Sequence, residues 1–303
     1  MTALPDEAVN RGCILVQVRL HETDLSSLRV PTPYFKLVSR LSYLPVLYGD
    51  IYDHYKSYIL PDSLSHNGRN LWLEHDNIPL QWHLPVGVLF DALFGGHPRV
   101  PWQLTVHFSS GTPEQHIEHL PEHIRRHVPK PIPMTGSSAV NSFKIRFLNT
   151  LKQSLFLLHG TSVRFASLSK SDQTDLMDAV VEGRVDDFWS IARRVDLTCS
   201  AIADIKSVSI RLHVYGPPHL QLLRAFEPAS SSLTSVRCLL RSVLPQEVAD
   251  MCEDSHDDTL PRAQVLVHGV CASLDCSVRW LALYGLYCDQ CLHIVVRLPG
   301  ALT

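Results

Sequence analysis

The chain has 303 residues, 45% hydrophobic and 19% charged, with a formal net charge of −3. That length buries a sizeable core and suits two or three compact units. The balance, with basic residues scattered rather than interleaved with aromatics, argues against nucleic acid, and no run of about 18 apolar residues is present to span a membrane.

The N-terminus, MTALPDEAVNRG, lacks the basic and apolar regions of a secretory signal, which predicts a cytosolic protein with reduced thiols. Residues 1–10 are expected to form a short N-terminal helix. The segment 11–110 then reads as one unit. ILVQVRL alternates, with Ile14, Val16, Val18 and Leu20 on one face, and predicts a strand; PYFKLVSR predicts a second. Leu44, Leu47, Ile51, Tyr55 and Tyr58 recur at helical spacing behind Pro45. LWLEHDNIPLQW predicts two short strands around a His75–Asp76–Asn77 turn. A short helix from Pro85 to Leu93 and the alternating strand WQLTVHF follow. Strand, strand, helix, short strands, strand is the order of a β-grasp, or ubiquitin-like, unit.

Residues 111–139 are rich in Pro, Ser, Gly and His and read as a linker. Residues 140–200 read as helix-rich. In FLNTLKQSLFLLHG, Phe147, Leu148, Leu151, Leu155 and Leu158 form an apolar stripe with Lys152 on its flank. Ser169 followed by Asp172 is a weak capping box for a second helix, which Gly183 stops. A third, 184–195, is expected to bury Val185, Phe188, Trp189 and Val195. The first pattern returns over 205–303: strands at VSIRLHV, LQLLRAF, QVLVHG and LHIVVRL, with helices through Leu233–Val243 and VRWLALYG. Its loop QEVADMCEDSHDDTLP is acidic and expected to be mobile. The fold class is therefore α+β, two ubiquitin-like (β-grasp) domains flanking a helix-rich domain.

Candidate sites are few. His116, His119, His123 and His127 have metal-like spacing, but Pro121 breaks the helix between the pairs, and a solvated linker is the preferred reading. Cys271, Cys276, Cys288 and Cys291 include one C-x2-C, short of the two hooks of a zinc knuckle. There is no G-x-S-x-G, no P-loop and no Rossmann fingerprint. Neither a cofactor nor a metal is expected. Lysine is scarce, seven against twenty arginines, so an acceptor lysine would come from a short list.

YFKLVSRLSYLP, IPLQWHLPVGVLFDAL, PWQLTVHF, NTLKQSLFLLHGTS and DDFWSIARRV occur in this order. Together they resemble the autophagy protein 5 family across nearly the whole chain. The resemblance implies a non-catalytic subunit of an E3-like conjugate. It implies an isopeptide bond between the ubiquitin-like autophagy protein 12 and the lysine that matches the motif, Lys152, or in some lineages a non-covalent association with that modifier; Lys144 does not match the motif. It also implies binding of the N-terminal helix of autophagy protein 16 in a groove whose matching positions are Arg40, Trp82, Gly87 and Arg193. Through the conjugate, the E2 enzyme of autophagy protein 8 is engaged and autophagy protein 8 is transferred to phosphatidylethanolamine, at the preautophagosomal membrane with peripheral association. The Cys288–Cys291 pair, the acidic loop 246–262 and the His-rich segment 112–130 depart from the family pattern. The alternatives are an unconjugated adaptor that binds a partner helix, and a cysteine- or metal-dependent hydrolase.

Overall fold

The computed structural model describes residues 12–26, 29–59, 71–95, 99–108, 137–161, 163–216, 220–226, 235–244, 246–252 and 263–299. The expected N-terminal helix, the four linker histidines and residues 253–262 of the acidic loop lie outside them.

The first unit contains β1 (Cys13–Leu20), β2 (Tyr34–Ser39), α1 (Tyr48–Tyr55), β3 (Trp72–His75), β4 (Ile78–Pro79), α2 (Val86–Phe94) and β5 (Trp102–His107). Its sheet has the order β2-β1-β5-β3-β4, with β1 parallel to β5 and the other pairs antiparallel. The alternation of β1 is realised: Ile14, Val16, Val18 and Leu20 are all buried. Asp76 and Asn77 both take positive φ, 48° and 64°. That conformation suits the twist of a two-residue hairpin and is tolerated by Asp and Asn.

The helical region holds α3 (Ser137–His159), α4 (Val163–Ala166), α5 (Lys170–Val181) and α6 (Val185–Arg194). The Ser169 hydroxyl accepts the Asp172 N–H at 3.0 Å, capping α5. Gly183, at φ +71°, lets the chain turn from α5 into α6. On α6, Val185, Phe188 and Ala192 are buried, whereas Trp189 and, just past its end, Val195 are only half-buried. The single turn α4 has no periodicity to announce it.

The second unit repeats the first with β6 (Ser209–Gly216), β7 (Leu220–Phe226), α7 (Val236–Val243), α8 (Gln246–Met251), β8 (Gln264–Val267), β9 (Val270–Cys271), α9 (Val278–Tyr284) and β10 (Cys291–Arg297). The order β7-β6-β10-β8-β9, with β6 parallel to β10, is the same permutation. The start of the expected mobile loop is in fact helix α8, with Ala249 and Cys252 buried in the core.

The two units share a core. Val86 through Leu93 of α2 are all buried. A helix apolar on every side must be covered on every side. Its own sheet lies on one side, and Tyr215, Leu266, Tyr287, Cys288 and Val295 of the second unit join the same apolar cluster on the other. The opposite face of the second sheet packs on α7 and α9 as a separate cluster. β10 is consequently buried on both faces from Cys291 to Val296.

Gly87 sits where α2 meets the end of β2. Its N–H donates to the Arg40 carbonyl at 2.8 Å, and an added Cβ would lie 2.9 Å from both the Arg40 Cβ and that carbonyl oxygen. Gly87→Ala is expected to cost about 1–3 kcal/mol by overpacking, read by urea denaturation. Gly49→Ala, with nothing within 4 Å of its added Cβ, is the tolerated control.

Candidate functional site

The helix α3 touches all three parts of the fold. Phe143 and Phe147 pack on Tyr43 of the first unit at 5.1 and 5.8 Å between ring centroids, and Phe147 meets Phe188 of α6 at 6.3 Å. Further along, Arg211 of the second unit donates to the Thr150 hydroxyl at 3.2 Å, and Ser154 lies 3.1 Å from the Cys291 sulfur. Leu158 belongs to the second unit's own core. At the C-terminus, the Lys206 and Ser207 amides donate to the carbonyls of Leu158 and Leu157 at 2.9 and 3.1 Å. They satisfy acceptors that a helix end otherwise leaves open.

Lys152 follows the fully buried Leu151 and is itself exposed. Its Nζ lies 5.2 Å from the centre of the Phe165 ring. Three other lysines are held by carboxylates: Lys36 by Asp50, Lys56 by Asp53, and Lys144 by Asp178 at 3.1 Å. Lys170, in the first turn of α5, and Lys206, between the helices and β6, are exposed as well. Lys152 differs from them in lying mid-helix on an element fastened to all three parts of the fold.

Of the four expected groove residues, Trp82 and Gly87 are buried and Arg40 is half-buried. Trp82 is 3% exposed and stacks edge-on against Phe143, so it packs the core. Gly87 is buried under Arg40. Arg40 itself pairs with Asp91 of α2, and its guanidinium fills the space beside Gly269 of the second unit. In this structure Trp82 and Gly87 act as packing residues and Arg40 as a clamp between the two units. Arg193 is exposed and lines a cleft of about 380 Å³ between α6 and α9, with Trp189, Cys199, Tyr284 and Leu286.

The cysteines do not form a zinc centre. Cys271 is exposed on β9 and Cys276 stands just before α9, whereas Cys288 and Cys291 are in the interior. Among the described residues no three of these cysteines converge. Burial pushes the Cys288 thiol far up and the Cys291 thiol up to about 12, which suits neither a nucleophile nor a ready metal ligand.

Asp289, Cys291 and His293 do converge: Cys291 and His293 share a face of β10, and Asp289, in the turn before it, accepts the Cys291 amide at 3.1 Å. His293 Nε2 lies 3.1 Å from the Asp289 carboxylate, and its Nδ1 lies 3.0 Å from His213 Nε2. Arg211 approaches Asp289 at 3.9 Å and supplies countercharge. Burial alone would raise the Asp289 carboxyl, but His293, Arg211 and the Cys291 amide outweigh it and hold it at about 2. This network packs the domain junction. The alternating D-x-C-x-H spacing was the signal for it in the sequence.

Neutral histidines, buried at His213 and half-buried at His83 and His268, surround the same junction. Burial, with Arg146 and Arg211 adding to it, holds His83 down at about 3. Burial holds His268 at about 4 despite its bond to the Gly285 carbonyl, and lowers His213 well below the usual range. The unfolded chain protonates these rings below about pH 6.5 and the folded one does not, so the unfolded state binds more protons and stability drops as the pH is lowered. Lowering the pH from 7 to 5 is expected to cost on the order of 1–2 kcal/mol for each of His83 and His268. Melting curves across that range check it; a flat profile contradicts it.

Models of the autophagy protein 5 family match the chain in three blocks: the UblA domain over residues 9–108, the alpha-helical bundle region over 140–196 and the UblB domain over 207–296. Autophagy protein 5 of Oryza sativa subsp. indica is 33% identical over 186 residues, which is 61% of this chain, and the chain spans under half of that relative, 43%. Autophagy protein 5 of Aspergillus oryzae is 25% identical with 97% of each chain covered, and that of Drosophila melanogaster 23% with 88% of this chain and 87% of the relative. The crystal structure of Kluyveromyces marxianus Atg5 superposes with a TM-score of 0.68 at 21% identity, covering 96% of this chain and 98% of that one, a likeness of fold.

Proposed function

Since the chain belongs to the autophagy protein 5 family, we propose that within autophagy it is the acceptor and platform of a ubiquitin-like conjugate, joined through Lys152 to autophagy protein 12. The observation that carries this reading is the presentation of Lys152: exposed, free of any ion pair among the described residues, and mounted on a helix fixed to all three parts of the fold. A fixed nucleophile loses little freedom on reaching its target.

The chemistry asks little of the acceptor. The modifier arrives as a thioester on an E2 cysteine. The amine, once deprotonated by a base on the E2 or by solvent, attacks the thioester carbonyl. The C–N bond forms, the C–S bond breaks and the E2 thiolate leaves. The chain then contributes surfaces rather than a catalytic group: the N-terminal helix of autophagy protein 16 would be met at the cleft beside Arg193, while Arg40, Trp82 and Gly87 hold the fold that presents it. The conjugate would act like an E3, engaging the E2 of autophagy protein 8 and promoting its transfer to phosphatidylethanolamine at the preautophagosomal membrane. Among the described residues no helix is long and apolar enough to cross a membrane.

Reconstitution with the modifier and its E1-like and E2-like enzymes tests the reading by intact mass. One modifier per chain is expected. No adduct at all would make the chain an unconjugated adaptor. The raised Cys288 and Cys291 thiols weigh against a cysteine hydrolase built on that pair.

A further inference from the structure

The Lys152 ammonium rests over an aromatic face. At 5.2 Å from the Phe165 centroid it is within cation–π reach. Phe165 is 6% exposed and part of the main core, so the ring is a fixed floor. The turn that carries it is pinned. The Ser167 amide donates to the Val163 carbonyl at 2.8 Å, and Arg164 donates at 2.8 Å to both the Asp196 carboxylate and the Asp196 carbonyl. An aromatic face attracts an ammonium without pairing it to a counter-ion, whereas Lys36, Lys56 and Lys144 are each tied to a carboxylate. The lysine stem is flexible and compact-headed, so a fixed ring beneath it narrows the positions it visits.

We propose that Phe165 is a positioning residue for the acceptor amine, its ring holding Lys152 Nζ over one spot so that it meets the incoming thioester from a fixed direction. This rests on the reading of Lys152 as acceptor. Phe165 touches neither the thioester nor the E2 and acts through Lys152. In the step it serves, Nζ gives a proton to an E2 base or to water, the C–N bond forms, the C–S bond breaks, and the E2 cysteine leaves as thiolate.

Single-turnover conjugation of the full chain with preformed E2–modifier thioester tests this. Phe165→Leu and Phe165→Met remove the aromatic face with little loss of apolar volume, and Phe165→Tyr and Phe165→Trp keep it. The ring-less variants are expected to lose about two- to five-fold in saturating rate, with the half-saturating acceptor concentration unchanged, and the ring-keeping variants to stay near wild type. A folded Phe165→Leu chain that conjugates at the full rate overturns the proposal. Lys152→Arg reports separately on the acceptor. If it gives no adduct while Phe165→Leu is unimpaired, the acceptor stands and the positioning role falls. Should the ring-less variants fail to fold, lysine-selective ¹³C spectra of the wild-type chain decide. The Lys152 ε-methylene, assigned by its disappearance in Lys152→Arg, is expected to be shifted upfield by the ring current, and an unshifted signal overturns the proposal.

Discussion

Asp91→Ala is expected to lose about 3–5 kcal/mol of stability, because it leaves the Arg40 guanidinium unpaired in the interior. The Asp91 side chain is 2% exposed and that of Arg40 14%. Burial pushes the Asp91 carboxyl up even though Arg40 and the Gly269 amide favour its charged form. The pair therefore costs desolvation, and its removal by halves is the expensive change. Arg40 stands at the end of β2, Asp91 on α2 and Gly269 in the turn between β8 and β9, so one clamp joins both ubiquitin-like units. Loss of this clamp acts on a shared core, and the two units are expected to unfold together, in one urea transition displaced to lower concentration. Arg40→Ala should behave alike, with the double variant well short of the sum. A loss under about 1 kcal/mol for Asp91→Ala would contradict the clamp.

Lys152→Arg is expected to abolish conjugation, and Lys144→Arg to leave its yield unchanged. The two lysines lie on the same helix, eight residues apart, and the difference between them is in their surroundings. Lys144 is held by Asp178 at 3.1 Å and one-third exposed, whereas Lys152 is solvent-facing over the Phe165 ring. Arginine keeps the charge and much of the stem, but the guanidinium stays protonated and forms no isopeptide. The variant should melt like the wild type, since an exposed flank position carries little stability. Conjugation assays read by gel and intact mass check the pair.

The local elements were legible where one period dominates a stretch. β1 follows from Ile14, Val16, Val18 and Leu20, and the hairpin at Asp76–Asn77 from residues that accept positive φ. The start of α5 follows from Ser169 and Asp172. Long-range packing was not legible. VGVLFDALF announces a helix buried on every side, but only the folded chain shows that the second unit supplies the other half of its cover. The letters alone do not say whether Trp82 and Gly87 face a partner or the core; both are interior, because burial depends on what other segments bring. The equivalent hairpin at β8–β9, with His268 at φ 52° and Gly269 at φ 80°, is too short to show as alternation. Phe165 sits in a single turn without periodicity, and its meeting with Lys152 is a matter of tertiary placement. For the candidate site, then, the lysine was visible in its motif and its floor was not.

The most direct test is to digest the reconstituted conjugate with trypsin and map the branched peptide by tandem mass spectrometry. The isopeptide is expected at Lys152 alone, with the C-terminal glycine of the modifier on its Nζ. A branch at Lys144, Lys170, Lys206 or any other lysine in place of Lys152 would contradict the assignment of the acceptor.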